Sequence, residues 1–218
     1  MRLGLLATLL AVMLLFVAGH DYACGGISSV GGNVEVVSAP PSVRNDAFES
    51  DTAIRVFLES EVFVSAVEVN AVAYGLYDEY GDFDDQLLMP RGGVRSYLVH
   101  HDQVGNAESL LSGSITFDVP ILAIIGRSST LENTDATLGA NGTLYATVRE
   151  GRQIDYQNDT DQFIWQRNRR TIEIQSRVTS KFDQLRILTA VPEPGGLGLL
   201  MAASLLCFGS RQLKFASL

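Results

Sequence analysis

Residues 54–71 read IRVFLESEVFVSAVEVNA. Ile54, Val56 and Leu58 share one parity. Farther along, Val62, Val64, Ala66, Glu68 and Asn70 alternate with Phe63, Ser65, Val67, Val69 and Ala71. Successive side chains of a strand point to opposite faces, so a period of two marks strand and not helix. The same period recurs in four later segments. Ile115, Phe117 and Val119 alternate with Ser114, Thr116 and Asp118, and Leu144, Ala146 and Val148 with Tyr145, Thr147 and Arg149. Ile172 and Ile174 alternate with Glu173 and Gln175, and Leu185, Ile187 and Thr189 with Arg186 and Leu188. Gly92-Gly93, Asn141-Gly142 and Glu150-Gly151 supply turns between them. Residues 120–126, PILAIIG, are too uniformly apolar to divide between a strand and a short buried helix.

Short alternating runs, glycine turns and no long helical pattern predict an all-β fold: an antiparallel β-sandwich over 43–190, with a jelly-roll-like order preferred. Residues 20–42, which include Pro40-Pro41, read as a lead-in. The span 43–190 is long enough for one domain with its own core.

Both ends of the 218-residue chain read as addresses and are set apart from the fold. Arg2, the apolar run Leu3 to Ala18 and the small residues Val17-Ala18-Gly19 have the layout of a signal peptide over 1–19. Asp21, three positions before Cys24, argues against lipid attachment at that cysteine. Near the other end stands Val191-Pro192-Glu193-Pro194, followed by an uncharged run from Gly195 to Gly209 and then Arg211 and Lys214. That run would make a helix of about 22 Å, short beside a hydrocarbon core of about 30 Å. It is expected to form a short C-terminal transmembrane helix, with the positive residues on the cytoplasmic side.

Without Arg2, Glu193, Arg211 and Lys214, the remaining chain holds 24 acidic and 13 basic residues, a formal charge of −11. That balance argues against nucleic acid, which attracts Lys and Arg, and against an anionic membrane surface. The two cysteines, Cys24 and Cys207, lie outside 43–190, so disulfides do not hold the expected domain together.

The tail resembles the PEP-CTERM sorting signal of exported bacterial proteins, with Pro192, Glu193 and Pro194 as its signature. The resemblance implies export through the secretion machinery, recognition by a dedicated sorting protease in the membrane, and cutting near the motif. It also implies transient membrane anchoring, then release or transfer to the cell surface, in a setting of exopolysaccharide production. The family closes with a tight arginine cluster; here Arg211 stands alone and Lys214 follows. The body, more loosely, resembles a group of uncharacterised exported proteins bearing this tail. The matching residues are Ser96-Tyr97-Leu98 with His100 and Asp102, Gly113-Ser114 with Thr116-Phe117, and Ile121-Leu122 with Ile125. Asp135 with Leu138-Gly139 and Asp183 with Arg186 and Thr189 complete the pattern. That group implies one exported domain and no activity.

Among chemistry-bearing residues, His100-His101-Asp102 is the first candidate for a metal or, with Ser96, a hydrolytic site. On a strand the two histidines face opposite ways, and packing or hydrogen bonding at a strand end is the preferred reading. Residues 78–85, DEYGDFDD, are dense enough in carboxylates to attract calcium but lack the EF-hand spacing, and read as a solvated acidic loop. Asp183 and Arg186, three apart on a strand, face opposite ways. Asp155, Asp159 and Asp161 offer carboxylates, but nothing marks the facing pair a glycosidase needs. Tyr97, Tyr145, Tyr156 and Trp165 form a sugar-stacking surface only if they are exposed. Asn141-Gly142-Thr143 and Asn158-Asp159-Thr160 read as turns. No catalytic residue, metal or cofactor is assigned. The expected function is that of a non-enzymatic exported or cell-surface protein associated with extracellular polysaccharide; the alternatives are a carbohydrate-binding module and a matrix glycoside hydrolase.

Overall fold

A computed structural model describes residues 26–79, 82–105, 108–154, 161–179 and 181–191. In chain order its strands are β1 (Ile27–Gly32), β2 (Val34–Val36), β3 (Ile54–Phe63), β4 (Val67–Val69), β5 (Gly75–Tyr77) and β6 (Gln86–Leu88). They continue as β7 (Gly93–His101), β8 (Ser109–Phe117), β9 (Ile121–Ile125), β10 (Gln162–Trp165), β11 (Thr171–Val178) and β12 (Asp183–Ala190). The α-helix α1 (Ser128–Leu138) follows β9, and Val148–Glu150 form a single 3₁₀ turn. β1 and β2 lie inside the stretch read as a lead-in.

The first sheet has the order β1-β8-β11-β10-β5 and the second β2-β3-β7-β12-β9, with a small β4-β6 ribbon beside them. Between the two sheets lies the larger core. Tyr77, Ile115, Phe117, Phe163, Trp165, Ile172 and Ile174 come from the first sheet; Ile54, Val56, Tyr97, Val99, Leu185 and Ile187 come from the second. The second sheet is covered on its other face as well. There Phe57, Leu98, Ala123, Ile125 and Leu188 meet Leu131 and Leu138 of α1 and Val67 and Val69 of the ribbon. Each fully buried aliphatic or aromatic side chain contributes about 1.5–3 kcal/mol, so a sheet buried on both faces is the anchor of the fold.

The all-β antiparallel sandwich is corrected on three points. The protein is mixed α/β, since an 11-residue helix packs on the second sheet. Both sheets are open, with edges at β1, β5, β2 and β9, and β2 pairs with β3 in parallel. The helix escapes sequence reading because its buried positions are Ser128, Thr130, Leu131, Thr134 and Leu138. The spacing is helical, yet three of the five are hydroxyl residues, so no apolar stripe appears. Residues 144–148, read as a strand, lead instead into the 3₁₀ turn.

The membrane-anchored localisation drawn from the tail, and the transmembrane helix with it, are corrected also. Among the described residues no helix is long and apolar enough to cross a membrane. Residues 195–209 lie outside the described residues, as do the proposed signal over 1–19 and the sorting residues Pro192, Glu193, Pro194 and Arg211.

The opening stretch holds one irregularity. In the β3–β7 pairing Leu58 faces Tyr97 and Ser60 faces Ser96, so Glu59 is the extra residue of a bulge. Ile54, Val56 and Leu58 pack toward the inter-sheet core, while Val62 and Val64 pack in the helix-side core. One continuous alternation thus serves two layers, and the bulge makes the switch.

Gly113 of β8 is a second local requirement. A Cβ there would lie 2.5 Å from the Gly31 carbonyl oxygen and 2.6 Å from Val34 Cγ2. Gly92, by contrast, has open space around its Cα. Gly113→Ala is therefore expected to lower stability by about 1–3 kcal/mol through overpacking, and Gly92→Ala to stay within about 0.5 kcal/mol of the parent. Urea midpoints of the two variants measure the difference.

Candidate functional site

The structure sorts the polar chemistry into three places: a charged network under α1, a hydroxyl–imidazole chain at one end of the inter-sheet core, and an open groove on the outer face of the first sheet.

The network is built around Arg186, at the middle of β12 and fully buried. Its Nε and Nη2 donate to the two carboxylate oxygens of Glu59 at 2.7 and 2.8 Å. Nη1 donates to the Leu131 carbonyl at 3.1 Å and to Thr134 Oγ1 at 2.7 Å, and Nη2 also donates to Asp135 at 2.8 Å. A guanidinium has five N–H donors, and five bonds are made. Arg152, also fully buried, holds the other side of Asp135 through Nη1 at 2.5 Å and donates from Nε to Gln184 at 2.6 Å. Ser96 donates to Glu59 at 2.6 Å. Tyr145 lies beside both guanidinium groups and accepts from the Ala140 N–H. Burial alone would lower the Arg186 pKa, but the charge and hydrogen bonds of Glu59, then of Asp135, hold it above its ordinary value. Burial, followed by the Glu59 charge, raises Tyr145.

The histidines separate as the strand period requires. His100 faces the network layer, where Nδ1 lies 3.1 Å from Gln184 Nε2 and the ring packs against Phe48 and Phe182. His101 faces the inter-sheet core. Its Nδ1 lies 2.8 Å from Ser176 Oγ, and its Nε2 lies 3.2 Å from Ser109 Oγ. Ser176 in turn donates to Asp183 at 2.5 Å. A nucleophile–base–acid triad sets the carboxylate on the imidazole; here a serine stands between them, and all four residues are buried. The chain ties together the ends of β7, β8, β11 and β12. Ser96 is engaged with Glu59 on the opposite face from His101. Asp183 and Arg186 serve different layers, as their spacing implied.

Other sequence candidates are placed plainly. Asp82 accepts the N–H groups of Asp78 and Glu79 at 3.1 Å each, closing a turn. Asp85 pairs with Arg127 at 3.0 Å and accepts from Asn70. Among the described residues no group of three His, Cys, Asp or Glu side chains is arranged to hold a metal. Asp161 is buried and accepts the Arg177 N–H at 2.5 Å; Asp155, Tyr156 and Asp159 lie outside the described residues. Tyr97 and Trp165 are buried in the inter-sheet core and Tyr145 packs under α1, so these three do not form a sugar-stacking surface. The residues of the body resemblance are structural as well. Asp135 and Arg186 belong to the network, Leu138 to the helix-side core, and Gly139 leaves room for the Tyr145 ring, which a Cβ would meet at 2.8 Å.

The groove is the open polar feature among these. It has a volume of about 310 Å3 and is lined by Gly31, Ser112, Ser114, Gln162, Glu173 and Gln175, together with Ile164. The register sets these side chains in two rows across the strands. One row is Gly31, Ser114, Glu173 and Ile164, and the other is Ser112, Gln175 and Gln162. Gln166 donates to Glu173 and fixes its carboxylate. Sequence reading saw the alternation of β11 but passed over this face, because which polar residues become neighbours depends on strand order.

Two consequences are measurable. Removing one member of a buried ion pair strands the other, so Glu59→Gln is expected to cost about 3–5 kcal/mol. The apolar double variant Glu59→Leu with Arg186→Met is expected to cost less than the sum of its single changes, which a double-mutant cycle in urea tests. The second consequence concerns pH. Burial lowers His100 to about 3 and His101 to about 4, below their ordinary 6.5. Between those values the unfolded chain binds protons that the folded chain does not, so stability rises with pH toward 6.5. Asp102 opposes this: burial, against a hydrogen bond from the Asp46 N–H, pushes it up from 3.8 to about 6. Its contribution is present at low pH and is lost as pH rises through about 6. With two histidines against one carboxyl, the urea midpoint is expected to climb from about pH 4 to about pH 6.5, and more steeply in Asp102→Asn.

No family model, no curated protein and no solved structure matches this chain.

Proposed function

We propose that this is a non-enzymatic exported or cell-surface protein that associates with extracellular polysaccharide through the outer face of its first sheet. The observation that carries the reading is the groove itself. It is open, lined by hydroxyl and amide side chains on rigid strands, and of a size at the lower end of the range of about 300–1,000 Å3 for small-ligand sites. The charged and hydroxyl–imidazole groups of the interior support the same view from the other side. Arg186, Glu59, His101, Ser176 and Asp183 are all buried, and they bond to one another or to partners in the core. Binding and not turnover is then the role of the exposed polar face.

Export rests on the resemblance of the ends. On this reading the chain passes the secretion machinery, and a PEP-CTERM-type sorting protease acts at Pro192, Glu193 and Pro194, with Arg211 beyond the cut.

Gly31→Val is the informative variant for the binding reading. A Cβ at Gly31 meets only the movable Ser114 hydroxyl, at 2.9 Å, so a side chain can be placed there at the groove with a hydroxyl to turn aside. The purified full chain is expected to be retarded in native gels containing bacterial exopolysaccharide, and Gly31→Val to run as in a blank gel with an unchanged urea midpoint. A parent chain that runs unretarded in every polysaccharide gel sinks the reading.

A further inference from the structure

Resting on that reading, we infer that the groove selects neutral glycan chains and turns away acidic ones. Among the residues lining the groove, Glu173 is the one acidic side chain, and no Lys or Arg is present. Arg177, two residues beyond Gln175 in β11, is paired with Glu108 at 2.8 Å. A uronic acid or sulfated sugar laid along the rows would bring its charge against Glu173 with no cation to receive it, on a protein of net charge −9. Like charges in contact repel, and more strongly beside a protein surface than in bulk water.

Neutral sugars fit the rest. They present hydroxyl groups that both donate and accept, and the rows offer both functions. The amides of Gln162 and Gln175 donate and accept, the hydroxyls of Ser112 and Ser114 do the same, and the Glu173 carboxylate accepts. The row through Gly31, Ser114 and Glu173 ends on Ile164, whose register partner Leu76 in β5 is 50% exposed. That apolar end suits the C–H face of a ring, in place of the aromatic platform the fold has buried. From Gly31 to Ile164 the row crosses three inter-strand gaps, about 14 Å at about 4.8 Å each. The site therefore takes several linked sugars lying across the strands and not one ring.

The floor explains why such a chain can lie down. Gly31 has no side chain, and Ser112 and Ser114 are short, while Gln162, Glu173 and Gln175 stand as taller walls. The groove is thus made by side-chain size on a continuous sheet.

The experiment uses the full chain with three immobilised probes: neutral dextran and mannan as one class, alginate as a polyuronate, and chitosan as a polyamine. Neutral glycan is expected to be retained, with affinity changing less than about twofold between low and high salt, because no counterion is released. Gly31→Val is expected to weaken that retention about tenfold or more, a loss of about 1.4 kcal/mol. Glu173→Lys is expected to weaken it as well and to bring in alginate at low salt. The class assignment falls if the parent retains alginate in a way that Gly31→Val abolishes. It falls equally if chitosan is the ligand, with retention lost in high salt. Groove-dependent capture of unfolded casein in place of any glycan overturns it in favour of a peptide site. Retention of no probe that Gly31→Val can abolish would instead count against the polysaccharide reading as a whole.

Discussion

A guanidinium buried without a single unused donor is a strict condition, and the architecture is arranged around meeting it at Arg186. Its acceptors come from distant parts of the chain: the β3 bulge gives Glu59, and α1 gives Leu131, Thr134 and Asp135. Arg152 balances the second carboxylate, so the two cations face two anions. Such a group does not raise stability by itself, since desolvating four charges costs several kcal/mol per ion. Its effect is geometric. Any slip of β12 relative to β3, or of the helix along the sheet, leaves a bare charge in the core. The helix depends on it in turn. At 11 residues α1 is below the length at which isolated helices hold, about 12–15 residues. It has no acidic residue in its first turn and no side-chain cap at Arg127. Tertiary contacts keep it, and the Arg186 bonds to Leu131 and Thr134 are among them.

The reactive-looking residues are divided between two buried layers. Charged groups are gathered on the helix side of the second sheet, and hydroxyl–imidazole contacts close one end of the inter-sheet core. Both faces of the second sheet are spent on packing. The first sheet covers the core with one face only and keeps the other open, and that free face carries the groove. One side of that sheet serves as structure, and the polar rows lie on the other.

The strands were legible where one face is apolar and the other polar, as in β8 and β11. They were less legible in β12, where Arg186 sits among Leu185, Ile187 and Leu188 as if on a solvent face, although it is fully buried. Periodicity reports which residues share a face and not what covers that face. The helix was missed because hydroxyl residues fill its buried positions. The strand read at 144–148 failed for the opposite reason: apolar alternation there serves isolated contacts, with Ala146 buried and Leu144 63% exposed. The opposite facing of His100 and His101 was legible because it follows from adjacency alone. The groove was not, since Gly31 meets Ser114 and Ser114 meets Glu173 through pairings between strands far apart in the chain.

The position of β12 has a temporal consequence. It is the last strand in the described chain, yet it lies inside the second sheet, between β7 and β9, and carries Arg186 into the middle of the network. While the ribosome is still making earlier segments, β7 and β9 have no strand to join them, Glu59 has no counterion, and α1 lacks its partner. The first sheet has all its strands by residue 178, but the second still lacks the strand that joins β7 to β9. The second sheet is completed only once residues 183–190 have been made, so its layer is the last that the described chain can close. Contacts of such long sequence separation also make the final step slow. A polypeptide built this way leaves a long interval in which it can be threaded, chaperoned or moved before it becomes rigid.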